Sequence, residues 1–354
     1  MSYTEVFMST SSLPEHRNNE RQLRLDANPA RPLKIVAMLT VASALIIFSS
    51  PPTALVSGIV FALLVGHPFA RHNHSVTKWL LQICVVLLGF GMDLPKVLRL
   101  GLNGSVFAAV TIVSTFALGA WLGRRFSLNK KTTALISSGT AICGGSAIAA
   151  VSSVIGASET EVAVSIGTVF LLNAVALYIF PIAGHLLHLS EGQFGLWAGV
   201  AIHDVSSVVG AGLSYGNEAL QTATAVKLAR TLWIIPVTLV LALRFGRSKA
   251  GEGNDTNMPQ GHHHKVKVTI PWFIGFFLAA SLCRSYIPAY APLWPGMTEV
   301  ARRGMVIVLF LIGSSLSLRA LRSVGWRTVA VGMILWVFVS TSSLISIKLL
   351  NLEI

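Results

Sequence analysis

Long apolar stretches separated by short polar connections dominate the chain from residue 33 onwards. A transmembrane helix needs about 20 mostly apolar residues, and about eleven stretches approach that length. This pattern predicts an all-α fold, a polytopic transmembrane helical bundle of about eleven spans. The predicted boundaries are Leu33–Ser50, Thr53–Phe69, Val76–Met92, Gly104–Leu122, Thr133–Gly156, Val162–Leu187, Phe194–Leu213, Ala219–Leu243, Ile270–Ile287, Gly304–Leu318 and Trp326–Leu349.

Two polar regions interrupt this pattern and divide the chain. Residues 1–32 are rich in Ser, Asn, Glu and Arg, and they predict a disordered cytoplasmic tail. Residues 247–267 combine Gly, Asn, charge and a histidine triplet, and they predict a cytoplasmic linker without a specific metal site. The linker separates a membrane part of about eight spans, residues 33–246, from one of about three spans, residues 268–354.

Composition agrees with a membrane location, and the distribution of charge predicts an orientation. Of the 354 residues, 53% are hydrophobic and 12% are charged, whereas soluble domains carry roughly 25% charged residues. With the N-terminus in the cytoplasm, 19 Lys and Arg fall on the cytoplasmic side and 6 on the opposite side. Membrane proteins concentrate positive charge on the cytoplasmic side. The net charge of +13 therefore indicates orientation and contact with membrane lipid, and we expect no nucleic-acid partner.

Two internal similarities indicate repeats. Leu87–Gly101 and Leu311–Gly325 share four residues at constant offset, and seven predicted spans separate them, so the two would run in opposite directions. An inverted-topology repeat requires this. Gly139–Val151 and Gly199–Ala211 also share four residues, but they lie only two spans apart, and simple counting makes them parallel. Either one segment is re-entrant, or the match reflects convergent small-residue composition.

The run Gly139–Val151 has at its centre Cys143, Gly144, Gly145 and Ser146. Each glycine destabilises a helix interior by roughly 1 kcal/mol relative to alanine, and backbone groups freed inside a membrane must find partners in protein or water. The run therefore predicts a broken helix whose exposed N–H groups and dipole favour an anion. Close helix packing, which also selects small residues, is an equally weighted alternative.

Ionisable side chains in apolar segments supply the remaining candidates for a substrate or ion site. His203 and Asp204 lie inside an apolar segment, where ionisable residues usually serve function, although both could instead cap a helix near an interface. Lys227 and Arg230 share a helix face, and two cations against Asp204 leave a positive surplus that suits an anion. The alternative is that both cations lie shallow and reach the interface. Asn173 could bond a neighbouring helix or touch substrate.

Several motifs in order resemble one known family. The motifs are VVLLGFGMDL, TAICGGSAIAAV, FGLWAGVAIHDVSSVVGAG, ATAVKLARTLWIIP and KVTIPWFIGF. They resemble the YeiH family of bacterial membrane proteins, often called sulfate exporters, over nearly all of residues 33–350. The resemblance implies an inner-membrane protein of about eleven spans, distantly similar to bile-acid symporters and cation/proton antiporters. Those proteins contain inverted repeats with broken helices that cross near the midplane.

Two motifs depart from the pattern usual in that family, SICGASA and HEVAQV. Gly145 and the preceding Thr140-Ala141 replace the residues usual in the first motif. In the second, Asp204 keeps a carboxylate but Ser207 stands where the glutamine is usual. The substrate of this chain could therefore differ from that implied by the family label.

Three functions are compatible with these features. The first is a secondary transporter of a small inorganic or organic anion, such as a sulfate-like exporter, with a proton or sodium as coupling ion. The second is a cation/proton antiporter that uses Asp204, and the third is a non-transporting membrane sensor. The sequence contains no nucleotide-binding loop, catalytic triad or metal-ligand spacing, so we expect neither an enzyme nor a cofactor. A homo-oligomer is left open.

Overall fold

A computed structural model describes Thr40 and residues 51–64, 70–250, 272–315 and 325–350. The predicted tail 1–32, the predicted span Leu33–Ser50 apart from Thr40, and the linker beyond residue 250 with its histidine triplet lie outside the described residues.

The described residues are almost entirely helical and include no strand, which confirms the predicted all-α class. Short 3-10 helices at Gly89–Gly91 and Pro288–Leu293 join some of the α-helices. The α-helices are α1 Pro51–Leu64, α2 Ala70–Leu88, α3 Leu94–Arg125, α4 Lys130–Ala141, α5 Gly145–Ile155, α6 Glu159–Leu186, α7 Glu191–Ala201, α8 Val205–Tyr215, α9 Asn217–Thr231, α10 Ile234–Ala250, α11 Trp272–Tyr286, α12 Trp294–Ser315 and α13 Trp326–Leu349.

Within the described residues, four helical stretches are long and apolar enough to cross a membrane. They are α3, α6, the stretch Asn217–Phe245 formed by α9 and α10, and α13. Many large apolar side chains on these stretches face outwards, among them Val110, Ile182 and Leu243. The chain is therefore a multi-pass membrane protein, as the hydropathy pattern predicted.

Helices α4 and α5 fold back on each other as a helical hairpin, which we call hairpin 1. Its open end is closed by Lys131, whose Nζ donates to the carbonyl of Gly156, 2.7 Å away. Asn129 caps α4 and also donates through Nδ2 to Glu161 at the start of α6, over 2.6 Å. The first residues of α4 and the last of α5 therefore lie side by side, and the three residues 142–144 form the tip.

Helices α7 and α8 form a second hairpin, hairpin 2, at the other end of α6. The carboxylate of Glu191, at the start of α7, accepts hydrogen bonds from the backbone N–H groups of Glu218 and Ala219, just beyond α8. The hydroxyl of Tyr215, the last residue of α8, donates to the carbonyl of Leu189, 2.7 Å away. The open end thus lies where α6 ends and α9 begins, and residues 202–204 form the tip.

Helix α6 sets the separation of the two open ends. Its 28 residues extend about 42 Å at 1.5 Å per residue. Hairpin 1 opens beside its first turn and hairpin 2 beside its last, while both tips lie against its middle at Val169 and Asn173. The two tips touch, because a Cβ on Gly144 would lie 3.6 Å from the carbonyl oxygen of His203.

Two predicted spans are therefore folded differently from simple spans. Thr133–Gly156 and Phe194–Leu213 were counted as crossings, but each forms a hairpin that returns to the side it came from. Hydropathy cannot distinguish the two arrangements, because two apolar half-helices with a short break have the length and composition of one span. The similarity to bile-acid symporters and antiporters implied broken helices that cross near the midplane; in this chain both breaks reverse the direction of the helix.

Local sequence explains each reversal. Gly144 has φ +66° and ψ −128°, a conformation that side chains disfavour, and it directly precedes α5. At the other tip Asp204 has extended backbone geometry and caps α8, since its carboxylate accepts from the N–H of Ser206. The positive φ of Gly144 allows the chain to turn before α5, and the Asp204 cap bonds a backbone N–H group in the first turn of α8 that would otherwise be unpaired.

Helix α9 lies between the hairpins and brings charged side chains to the tips. It packs closely on α7, where Gly195 and Gly199 leave room for the backbone near Ala223. It also contacts α8 and α3, while α10 packs on α5. Helices α1, α2, α11 and α12 form a second group that packs together and meets the first through α8 and through the contact of α11 with α3.

Candidate functional site

Lys227 joins the two hairpin tips. Its Nζ donates to the carbonyl of Ile142 over 3.1 Å and to the carbonyl of Ile202 over 2.6 Å. These two carbonyls directly follow the last residues of α4 and α7, where helices leave unpaired carbonyls and the negative ends of their dipoles. The side chain is 0% exposed, which excludes the shallow location considered as an alternative.

Arg230 lies one turn further along α9 and is also fully buried, at 1% exposure. Its Nε donates to the carbonyl of Ala141, 2.6 Å away, the last helical residue of α4. Its Nη1 and Nη2 are buried without a hydrogen-bond partner among the described residues. A buried guanidinium with two unpaired nitrogens is costly unless an acceptor completes it.

Asn173 holds the backbone of the second tip from α6. Its Oδ1 accepts from the N–H of His203 over 3.1 Å and from the N–H of Asp204 over 3.2 Å. Its Nδ2 is buried without a partner among the described residues. Asn173 therefore bonds a neighbouring element, as one of the two alternatives predicted, and it offers one further donor next to the tip.

Asp204 is engaged locally rather than with the cations. Its Oδ2 accepts from the N–H of Ser206 over 3.0 Å and makes a short contact with the Ser206 hydroxyl. The ion pairs among the described residues are exposed ones on the surface, and none joins Asp204 to Lys227 or Arg230. The expected cluster of one carboxylate and two cations is therefore replaced by a capping carboxylate and two cations on main-chain carbonyls.

The remaining candidates divide between the tips and the surface. Cys143 and Gly144 are buried in the tip of hairpin 1. His203 is 1% exposed in the other tip, and both ring nitrogens lack a partner among the described residues. Gly145 is half-buried and Ser146 is exposed, so the start of α5 leaves the buried cluster.

The two tips together form a site that presents donors. Lys227 and Arg230 satisfy the carbonyls at the ends of α4 and α7, and the unpaired groups that remain belong largely to Arg230, Asn173 and His203. Guanidinium and amide N–H groups can only donate, and neutral imidazole donates through one nitrogen. The chemistry that completes such a site is an acceptor with negative charge. No group of His, Cys, Asp and Glu that could hold a metal ion occurs in the described part of the chain.

Sequence reasoning missed the groups that hold the site together. The partners of the two cations are the backbone carbonyls of Ala141, Ile142 and Ile202, which no side-chain pattern reveals. Lys131 and Glu191, which close the hairpins, were not among the candidate residues. One signal was available, because sixty residues separate Gly156 from Gly216, the same offset that relates the two small-residue runs.

Comparison of the sequence with known proteins shows that the chain is similar to the membrane proteins of one family. Residues 33–332 match the family described as Conserved hypothetical protein 698. A UPF0324 membrane protein of Bacteroides thetaiotaomicron is 46% identical over 297 residues, 83% of this chain and 85% of that protein. Another from Porphyromonas gingivalis is 45% identical over 304 residues, covering 85% and 88%, and one from Bdellovibrio bacteriovorus is 47% identical over 298 residues, covering 84% and 88%.

No solved structure matches the chain. The match over most of the chain and the identities above 40% confirm the family that the motifs indicated. The chain belongs to the family described as Conserved hypothetical protein 698, the UPF0324 membrane proteins.

Proposed function

We propose that the chain is a secondary transporter of a small anion, with the substrate site at the two hairpin tips. The observation that carries the proposal is the buried Arg230 guanidinium, whose Nη1 and Nη2 have no hydrogen-bond partner and which forms no ion pair among the described residues. An uncompensated buried charge costs several kcal/mol. A protein that binds an anion there recovers part of that cost only when the substrate is present.

The two hairpins support a mechanism of alternating access. Helices α5 and α8 begin at Gly145 and Val205 and end at Ile155 and Tyr215, so both boundaries differ by sixty residues. Each hairpin is followed by a long helix, and the two hairpins enter from opposite ends of α6. We infer an inverted repeat, residues 130–186 and 190–250, in which substrate binds at the interface between the repeats.

The orientation follows from charge. We propose a bacterial inner-membrane protein with a cytoplasmic N-terminus and a periplasmic C-terminus, from the excess of Lys and Arg on one side. Folding two segments back removes an even number of crossings, so the predicted sides of the termini do not change. With hairpin 1 folded back, α6 ends on the periplasmic side, and contacts agree with this grouping, since Lys348 donates to Leu187 and Lys96 pairs with Glu218.

The coupling ion and the substrate remain part of the proposal. We propose a proton or sodium as the coupling ion and assign no residue to carry it, because burial and the neighbouring Lys227 and Arg230 oppose a positive charge on His203. The anion belongs to the class of small acceptors, inorganic or organic, for which sulfate and sulfite are the first probes. No enzymatic activity or cofactor is proposed.

Transport in proteoliposomes tests the proposal. Purified protein is reconstituted, and uptake of labelled sulfate, sulfite and small organic anions is measured against an imposed proton or sodium gradient. Arg230→Gln is compared with Arg303→Gln, which removes a charge from an exposed surface pair with Glu299. We expect saturable uptake of at least one anion, abolished by the first variant and kept by the second.

Two results would contradict the proposal. Equal uptake by Arg230→Gln and the control would show that the guanidinium does not bind the substrate. Proton-driven cation exchange that depends on Asp204, with no anion transport, would favour the antiporter instead. The partly exposed carboxylate of Asp204 is the feature on which that second function would rest.

A further inference from the structure

A second cavity lies on the predicted periplasmic side, away from the hairpin tips. It has a volume of about 280 Å³ and lies between the 3-10 helix at Gly89–Gly91, α9, α11 and the start of α12. We call it the outer cavity. Its lining includes Phe90, Gln221, Arg284, Trp294 and Arg302.

The charged side chains that line the outer cavity are all positive. Arg284 from α11 and Arg302 from α12 both line it, and no carboxylate is among its lining residues in the described chain. A larger pocket nearby differs, because there Lys96 and Arg99 are balanced by Asp93 and Glu218. The two guanidinium groups of the outer cavity therefore carry a net positive charge with no counter-charge in the wall.

Unpaired hydrogen-bond donors point to the same ligand class. Trp294 is 93% buried, stacks on Phe90 with ring centroids 5.0 Å apart, and has an indole Nε1 without a partner among the described residues. The Nε of Arg302 is also buried without a partner. Both groups can only donate. Both residues line the cavity but neither atom is accessible, so a ligand bonds them only if the side chains turn towards it; such a ligand must bring acceptor oxygens, and the two guanidinium groups favour a negative charge.

The outer cavity also lies on the line to the hairpin tips. A void of about 10 Å³, room for about one water molecule, adjoins it and is lined by Gln221, Thr224 and Arg302. Gln221, Thr224 and Lys227 follow at intervals of three on one face of α9. Gln221, which lines the outer cavity, lies six residues before Lys227, about 9 Å along the axis of α9, with a constriction between the cavity and Lys227.

We propose that the outer cavity is a binding site for a small oxyanion, which it holds at the periplasmic mouth of the route to Arg230. That the outer cavity lies on a transport route rests on the proposed function, whereas the binding of an oxyanion in the cavity does not. The cavity is at the small end of ligand pockets, which agrees with an inorganic or short organic anion rather than a large one.

Equilibrium dialysis of purified protein with radiolabelled sulfate tests the binding. We expect two bound sulfates per chain in the unaltered protein. The double variant Arg284→Gln, Arg302→Gln should lose one of them, with the affinity at that site falling about tenfold or more. Trp294→Phe keeps the stacked ring but removes one donor, and it should weaken the same site by a few-fold. Arg303→Gln is the control, since it lies next to Arg302 and removes the same charge from an exposed pair.

The outcomes separate this inference from the proposed function. No sulfate bound by the unaltered protein, or equal binding by the double variant and the control, would overturn the outer site. Loss of all binding in Arg230→Gln would also overturn it, because a single central site would then explain the data. Retention of one sulfate in Arg230→Gln, lost again when Arg284 and Arg302 are changed, supports it even if no anion is transported.

Discussion

Replacing Arg230 by glutamine separates substrate binding from folding. The variant keeps a donor that can reach the Ala141 carbonyl but loses the two Nη groups and the charge. A hydrogen bond to a charged group contributes about 1.5–3 kcal/mol. At 1.4 kcal/mol per factor of ten, loss of one such bond should weaken anion affinity roughly 10- to 150-fold.

Most substitutions of buried residues destabilise a protein, but in anion-free buffer we expect Arg230→Gln not to lower the free energy of unfolding. The buried guanidinium costs several kcal/mol when nothing compensates it, and glutamine removes that cost. We therefore expect Arg230→Gln to be as stable as the unaltered protein, or more stable, in anion-free buffer. At an anion concentration of 100 times Kd a ligand stabilises the fold by about 2.7 kcal/mol. A hundredfold weaker Kd reduces this to about 0.4 kcal/mol.

Thermal unfolding in detergent, titrated with sulfate at constant ionic strength, measures both quantities. The background carries Arg284→Gln and Arg302→Gln, so that the outer cavity does not contribute, and Arg303→Gln serves as the charge-matched control. If Arg230→Gln retained the full sulfate-dependent stabilisation, the central guanidinium would not be the anion ligand. If it unfolded in anion-free buffer while the control did not, Arg230 would have a structural role that its unpaired nitrogens do not indicate.

Further changes test the tips and the orientation. Asp204→Asn should keep the stability of hairpin 2, because Asn caps as well as Asp, whereas Asp204→Ala should cost about 1 kcal/mol in chemical unfolding. Gly144→Ala should cost about 1–3 kcal/mol from its backbone conformation, since its Cβ would meet only ordinary contacts. Lys227→Gly should become more thermostable in sodium or ammonium salts than in choline salt, because the freed carbonyls can coordinate a small cation. A reporter after Leu352 should be periplasmic and one at Gly253 cytoplasmic; both on one side would refute the proposed orientation.

The break in the first helix was predicted from the sequence, and a re-entrant segment was left open as one of two alternatives. Glycine and small residues around Cys143 and Gly144 predicted a broken helix, and α4 and α5 are separated there. Whether the second half continues or returns depends on what holds the far ends, here a lysine bond to Gly156 and a carboxylate bond to Glu218. These contacts join residues 25 or more positions apart. Secondary-structure propensity depends on neighbouring residues and therefore cannot predict them.

The sequence located the charged site residues and misjudged their partners. Depth in an apolar segment and the spacing of Lys227 and Arg230 predicted two cations on one buried face, which the structure bears out. The sequence analysis then grouped the two cations with Asp204, because a sequence shows which side chains are available as partners but not which backbone carbonyls are. In the structure the partners are carbonyls at helix ends, and these become available only once the two hairpins meet.

The position of Lys227 decides which sign of ligand the tips favour. Carbonyls at the ends of broken helices, such as those of Ile142 and Ile202, ordinarily coordinate a cation in transporters. Here an ammonium attached to α9 already bonds both, so a free cation at that point would be repelled by a like charge. Among the described residues, the unpaired groups at the tips include the Arg230 guanidinium and the Asn173 amide, which only donate, and the His203 imidazole, which donates through one nitrogen and accepts through the other. A single lysine therefore makes this geometry less favourable for a cation and more favourable for an anion, which supports the proposed anion transporter over the antiporter.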